Sequence, residues 1–238
     1  MTQTKPTDQS LKTLFRVGGL APLLTLIFYL SEFIFIPWDQ YPASIEDWFM
    51  LIQRSKLLGL FYLNALDIFS IALLGVMFLA LFAVLKQANP SWMTFATYFG
   101  LLGVGVFVVP RVAMLSILPL SDRFAAAGEL ERSRLLAAGE TLGALGTATP
   151  QTIGFLFMAI AVLILSLVML REGHLFNKFT AWIGILASLF TFADHLSLIL
   201  FPALATPLMI ASGLFWIPWW LMIGLGLFRL AKNVDKKE

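Results

Sequence analysis

The chain has 238 residues, of which 59% are hydrophobic and only 13% are charged, and its mean hydropathy is +0.87. An average soluble protein is about 45–50% apolar and about 25% charged, so this composition excludes an ordinary soluble domain. The net charge of +2 gives no indication of nucleic-acid binding, and the absence of cysteine excludes disulfides, thiolate catalysis, iron–sulfur clusters and cysteine zinc sites.

Six apolar segments are long enough to cross a bilayer, which takes about 20 residues. They lie at about 16–36, 57–85, 93–118, 150–170, 179–201 and 208–228. We therefore predict an all-α integral membrane bundle of six transmembrane helices that forms a single membrane domain over residues 1–238.

The first span follows Lys5, Lys12 and Arg16, an arrangement that a signal peptide would also show. Its apolar stretch is longer than the core of a signal peptide, and Tyr41-Pro42-Ala43 is a poor cleavage site. A retained membrane anchor is therefore expected.

The stretch with a soluble composition, at about residues 120–149, lies between the third and fourth spans. Its first half, Ala125–Leu136, is rich in Ala, Leu, Glu and Arg and predicts a short amphipathic external helix. A solvated connector with no role is the alternative.

The basic residues concentrate on one side of the predicted membrane. Ten of the sixteen Lys and Arg flank the termini and the second and fourth connections, including Lys86, Arg171 and Lys178, whereas five lie in the other connections. Because positively charged flanks stay in the cytoplasm, both termini are predicted to be cytoplasmic and the longer loops external. Besides the lipid bilayer itself, the expected partners are anionic lipid head groups at this basic cytoplasmic face.

Motifs of familiar membrane enzymes are absent from the sequence. There is no G-x-S-x-G, H-E-x-x-H or Walker A pattern, so no catalytic residue and no cofactor is predicted, and enzymatic activity is not favoured. Glycine pairs within the spans, such as Gly100 with Gly103 and Gly103 with Gly105, indicate close helix packing rather than phosphate-binding loops.

Ionisable residues inside the spans are the main functional clue. Each costs about 2.5–3.5 kcal/mol to insert, so such residues are expected to face the bundle interior and to have partners. We counted the depth of each residue from the outer end of its span at about 1.5 Å per residue. By this count all five lie in the outer half of the predicted bundle: Glu32, Asp67, Arg111, Asp194 and His195. Three carboxylates against one arginine leave a formal charge of −2 if His195 is neutral, which a proton, a charged histidine, a cation or external water has to balance.

Three hypotheses follow from this cluster. In the first, a non-enzymatic protein has an outer-half cavity that binds a small ligand or ion, with transport as an extension, and the cavity is lined by Glu32, Asn64, Asp67, Arg111, Asp194 and His195. In the second, the protein is a structural or partner-binding subunit whose buried charges only lock the helices. In the third, a carboxylate and His195 act as acid and base on a lipid head group. The identity of any metal is left open, and a homodimer is compatible with a bundle of this size.

The order of glycine, charged residues and proline in the second half of the chain resembles that of a known protein family. Gly154 lies in a Phe-rich span, Arg171 and Lys178 flank a short loop, and Asp194 precedes a proline after the next helix; Leu66-Asp67 before an apolar run is a weaker match. In these features the chain resembles a family of prokaryotic multi-span membrane proteins known only as a domain of unknown function. The resemblance implies a bacterial inner-membrane location and this fold, and it implies no reaction.

Overall fold

The computed structural model describes residues 6–36, 41–147, 149–173 and 175–235. In this part of the chain all regular structure is helical, as predicted, with a single 3₁₀ turn at Pro202–Leu204. The helices are α1 Pro6–Phe35, α2 Ile45–Arg54, α3 Lys56–Tyr62, α4 Ala65–Leu85, α5 Pro90–Met114, α6 Ile117–Ala126, α7 Glu129–Thr147, α8 Thr149–Glu172, α9 Lys178–Leu200 and α10 Ala205–Asp235. Lys5, Lys236 and Lys237, which contribute to the predicted basic face, lie outside the described residues.

Six segments in the described ranges are long and apolar enough to span a membrane, which confirms the predicted number. They are Gln9–Glu32, Ala65–Leu85, Pro90–Ala126, Thr152–Glu172, Lys178–Leu198 and Pro202–Asn233. The side of the membrane that each terminus occupies stays a prediction.

The long helices α1, α4, α5, α8, α9 and α10 run alternately up and down, and each packs against its neighbour in the sequence. The last of them, α10, packs back against α1 and closes the bundle into a ring. The interior is filled by one continuous apolar core, whose fully buried members include Met77, Leu165 and Trp219. The end at which α1, α5 and α9 finish and α4, α8 and α10 begin is called the cap end.

Close contacts between helix backbones in the ring depend on glycine, and two of them illustrate this. A Cβ atom at Gly103 of α5 would lie 2.7 Å from the carbonyl oxygen of Gly154 in α8, and one at Gly19 of α1 would lie 2.9 Å from that of Gly224 in α10. Real Cβ contacts are longer than this, so only glycine allows these backbones to approach so closely.

The second span differs from its predicted boundaries of 57–85. The chain breaks between α3 and α4, where Asn64 adopts a left-handed backbone conformation with φ 51° and ψ 45°. Asparagine tolerates this conformation better than most residues, so the helix ends at Tyr62 and a new one starts at Ala65. The helix in this segment that is long and apolar enough to span a membrane is therefore Ala65–Leu85.

Four shorter helices, α2, α3, α6 and α7, form what we call the cap layer at the cap end. The amphipathic helix α2 was not predicted; it starts with a capping box in which Ser44 and Asp47 each accept a hydrogen bond from the other's backbone N–H. The segment at 120–149 holds α6 and α7, which break at Ala127–Gly128, instead of one short helix over 125–136.

A second, smaller apolar core holds the cap layer together. Phe49 and Ile52 of α2 are fully buried against Ile117 and Phe124 of α6, and Leu135 of α7 joins them. Two hydrogen bonds add to this packing, from Ser121 Oγ to the carbonyl of Phe49 at 2.9 Å and from Gln53 Nε2 to the carbonyl of Ser121 at 3.0 Å.

Candidate functional site

The polar residues of the first three spans meet beneath the cap layer. Asp67 lies in the first turn of α4, Arg111 lies near the end of α5, and Glu32 lies near the end of α1. An Arg111 nitrogen lies 3.9 Å from an Asp67 carboxylate oxygen. The Glu32 carboxyl group lies close enough to both side chains to interact with them electrostatically. Three helices therefore bring two carboxyl groups and one guanidinium together.

Two of the three side chains in this group are deeply buried, and the group is unevenly charged. Glu32 is 5% exposed and Arg111 is 4% exposed, so neither side chain lies on the lipid-facing surface. Two ionised carboxylates beside one arginine leave one net negative charge. One bound proton or one monovalent cation would therefore neutralise the net charge of this group.

Two acceptor atoms at the site lack a hydrogen-bond partner within the part of the chain that the structure describes. They are Glu32 Oε1 and Asn64 Oδ1, and both are shielded from solvent. Asn64 is tied to the site through its backbone, since its carbonyl accepts a hydrogen bond from the N–H of Asp67 at 3.0 Å. A buried acceptor without a donor costs about 1–3 kcal/mol, so a bound group that donates hydrogen bonds here would recover that energy.

An aromatic cluster links the cap layer to Tyr41, which precedes α2. The ring of Tyr41 stacks on Tyr62 at 5.7 Å and meets Trp48 edge-on at 5.4 Å, and its hydroxyl donates to the carbonyl of Tyr62 at 3.2 Å. Burial raises the pKa of the Tyr41 hydroxyl; the Arg111 guanidinium opposes this shift, and the Glu32 carboxylate adds to it. Tyr41 is therefore within electrostatic reach of the charged group.

This aromatic cluster was missed as part of the site. Its position depends on α2, and the sequence signal for α2 is Ser44 with Asp47 three residues later, followed by apolar residues at helical spacing, Ile45, Phe49 and Ile52.

Asp194 and His195, the other two predicted site residues, form a pair on α9. His195 Nδ1 lies 3.4 Å from an Asp194 carboxylate oxygen and 2.9 Å from the carbonyl oxygen of Thr191. Both side chains are 12% exposed. The pair balances its own charge when the imidazole is protonated.

An aromatic bridge connects the two polar groups. The Arg111 guanidinium lies 5.3 Å from the ring centre of Phe107, Phe107 packs against Phe155 at 5.2 Å, and Phe155 packs against His195 at 5.8 Å. One series of contacts from Arg111 to His195 thus runs through two phenylalanine rings. The structure gathers Glu32, Asn64, Asp67 and Arg111 in one place, and it places Asp194 and His195 beyond the bridge.

Metal binding was left open by the sequence. Within the described ranges, no three His, Asp or Glu side chains are grouped so as to hold a metal ion.

Comparison with known proteins gives one match. A family model described as a domain of unknown function (DUF4386) matches residues 54–224. The matched region runs from the end of α2 into α10, so it includes Asp67, Arg111, Asp194 and His195 but leaves out Glu32. This match confirms the family resemblance found in the sequence. No curated protein and no solved structure matches the chain significantly.

Proposed function

The chain belongs to the DUF4386 family. Because that family has no assigned function, we propose from the chain's own geometry that it binds a small ligand or ion at the cap end of its helix bundle. The binding group is Glu32, Asn64, Asp67 and Arg111, and the Asp194–His195 pair lies at its far side beyond Phe107 and Phe155. The bacterial inner membrane, with both termini in the cytoplasm, is the proposed location, and the distribution of Lys and Arg supports it.

The observation that carries this proposal is the pair of buried acceptors, Glu32 Oε1 and Asn64 Oδ1, that lack a donor in the described part of the chain. Together with a formal charge of −1 from Glu32, Asp67 and Arg111, they favour a ligand that brings positive charge and hydrogen-bond donors. A small protonated amine or a monovalent cation has this chemistry.

A second candidate function is supported by the buried ion pair. Arg111 and Asp67 join α5 to α4, and loss of one partner of such a pair typically costs about 3–5 kcal/mol because the other is left buried and uncompensated. Under this alternative the charged group only locks the helices, and no ligand is needed.

Thermal unfolding of the purified protein separates the two candidates. The probes are sodium, potassium, magnesium and a set of small amines. Each probe is added to the wild type and to the site variants Asp67→Asn and Glu32→Gln. The control variant is Asp122→Asn, which removes an exposed carboxylate from the cap layer. Binding predicts that at least one probe raises the melting temperature of the wild type and the control but not that of the two site variants.

The locking alternative predicts a different result. No probe would stabilise the wild type more than Asp67→Asn, and Asp67→Asn itself would melt well below the control without any probe. Should a binding probe emerge, its uptake into proteoliposomes tests the further hypothesis of transport.

A further inference from the structure

The far end of the bundle, opposite the cap end, carries a groove between the first and last helices. It has a volume of about 240 Å³. Its lining consists of two cationic side chains and four apolar ones: Arg16, Lys232, Val17, Leu20, Phe228 and Ala231.

The order of these residues along the two helices gives the groove a polarity. Because α1 and α10 run in opposite directions, the N-terminal half of α1 and the C-terminal half of α10 lie at the same end. Leu20 follows Arg16 by one helical turn, and Phe228 precedes Lys232 by one turn, so both apolar residues lie about 6 Å deeper towards the middle of the bundle. The groove thus has a cationic mouth and an apolar interior.

The close packing of α1 and α10 explains why a groove exists here. Gly19 and Gly224 bring the two backbones together, so that the side chains of neighbouring turns stand out on either side. Ala231, which is 1% exposed, forms a small-residue floor, while Arg16, Val17 and Leu20 are exposed on one wall. A slender chain can lie against this floor.

We propose that this groove binds an anionic phospholipid, with the phosphate between Arg16 and Lys232 and an acyl chain along Val17, Leu20 and Phe228. Charge complementarity and depth support this occupant, because two cations line the mouth of the groove and the apolar lining continues from them towards the middle of the bundle. A free phosphate ion would use the mouth alone and leave the apolar wall unexplained. This proposal does not depend on the ligand-binding site at the cap end.

Retention of lipid by the purified full-length protein tests the proposal. Native mass spectrometry compares phosphatidylglycerol with phosphatidylcholine of the same acyl chains, on the wild type and on Arg16→Gln/Lys232→Gln. A basic residue near an anionic membrane contributes about a fivefold gain in affinity, so the double variant should lose roughly 25-fold in its preference for the anionic lipid.

The matched control removes two cations from the same end of the bundle but outside the groove. Lys178→Gln/Arg229→Gln should keep most of the preference, since both side chains are exposed and neither lines the groove. A loss equal to that of the groove variant would overturn the proposal in favour of a diffuse basic surface.

Two further measurements address the apolar part of the groove. Val17→Trp keeps both cations and narrows the groove, so it should also reduce retention of phosphatidylglycerol; unchanged retention would place the lipid elsewhere. Inorganic phosphate at millimolar concentration should not displace the lipid, and complete displacement would show that the site recognises a free anion.

Discussion

The contact between α5 and α8 offers a test in which the same substitution is made at two sites on one helix. Gly103 faces α8, and a Cβ atom there would lie 2.7 Å from the Gly154 carbonyl oxygen and 2.9 Å from the Met158 backbone nitrogen. Both neighbours are backbone atoms, so the helices themselves would have to separate, by roughly 0.7 Å, to restore the 3.4 Å at which ordinary contact begins. A Cβ atom at Gly105, two residues later, would have nothing within 4 Å of it.

Alanine at either position gains about 0.8–1.0 kcal/mol of helix propensity, whereas overpacking a close contact typically costs about 1–3 kcal/mol. The propensity gain is common to both variants, so their difference measures the packing cost alone. We expect Gly103→Ala to be less stable than Gly105→Ala by about 1–3 kcal/mol in reversible unfolding from mixed detergent micelles. Equal stabilities would refute the close approach of α5 and α8.

Three other expectations concern the charged group, the cap layer and the orientation. Arg111→Gln should lower the free energy of unfolding by about 3–5 kcal/mol, and adding Asp67→Asn should recover part of this loss, whereas additive losses would argue against their pairing. Ser44→Ala removes a capping box and should cost about 1 kcal/mol, seen as faster hydrogen exchange confined to α2; unchanged exchange would contradict the cap. In this cysteine-free chain, a membrane-impermeant thiol reagent added to whole cells should label Met50→Cys but not Gln87→Cys, and the reverse pattern would invert the predicted topology.

The number and approximate position of the spans could be predicted because length and hydropathy depend only on local composition. The boundary of the second span could not be predicted in this way. The apolar run that begins at Leu57 continues to Leu63, and hydropathy alone does not distinguish a continuous helix from two helices joined at Asn64. The break depends on the backbone conformation of that one residue.

The cap layer was only partly predicted, for a different reason. Its α2 combines a charged face, with Glu46 and Arg54, and an apolar face, with Phe49 and Ile52. Such a segment is too short and too charged to count as a span, and the spacing of its apolar residues does not reveal that α6 covers them. The capping box at Ser44 was the one local signal of its start.

The candidate site was only partly predicted, because the sequence does not show which polar residues of different helices meet. Spacing along a helix identifies the face that carries Asp67 or Asp194, but it does not give the rotation of one helix relative to another. Phe107 and Phe155 lie between the two polar groups, so the three carboxylates do not share one arginine. The predicted imbalance of −2 thus becomes a formal −1 beside Arg111, because Asp194 has its own partner in His195. A ligand with a single positive charge would balance the group beneath the cap layer, and this is why the proposed binding experiment begins with monovalent cations and small amines.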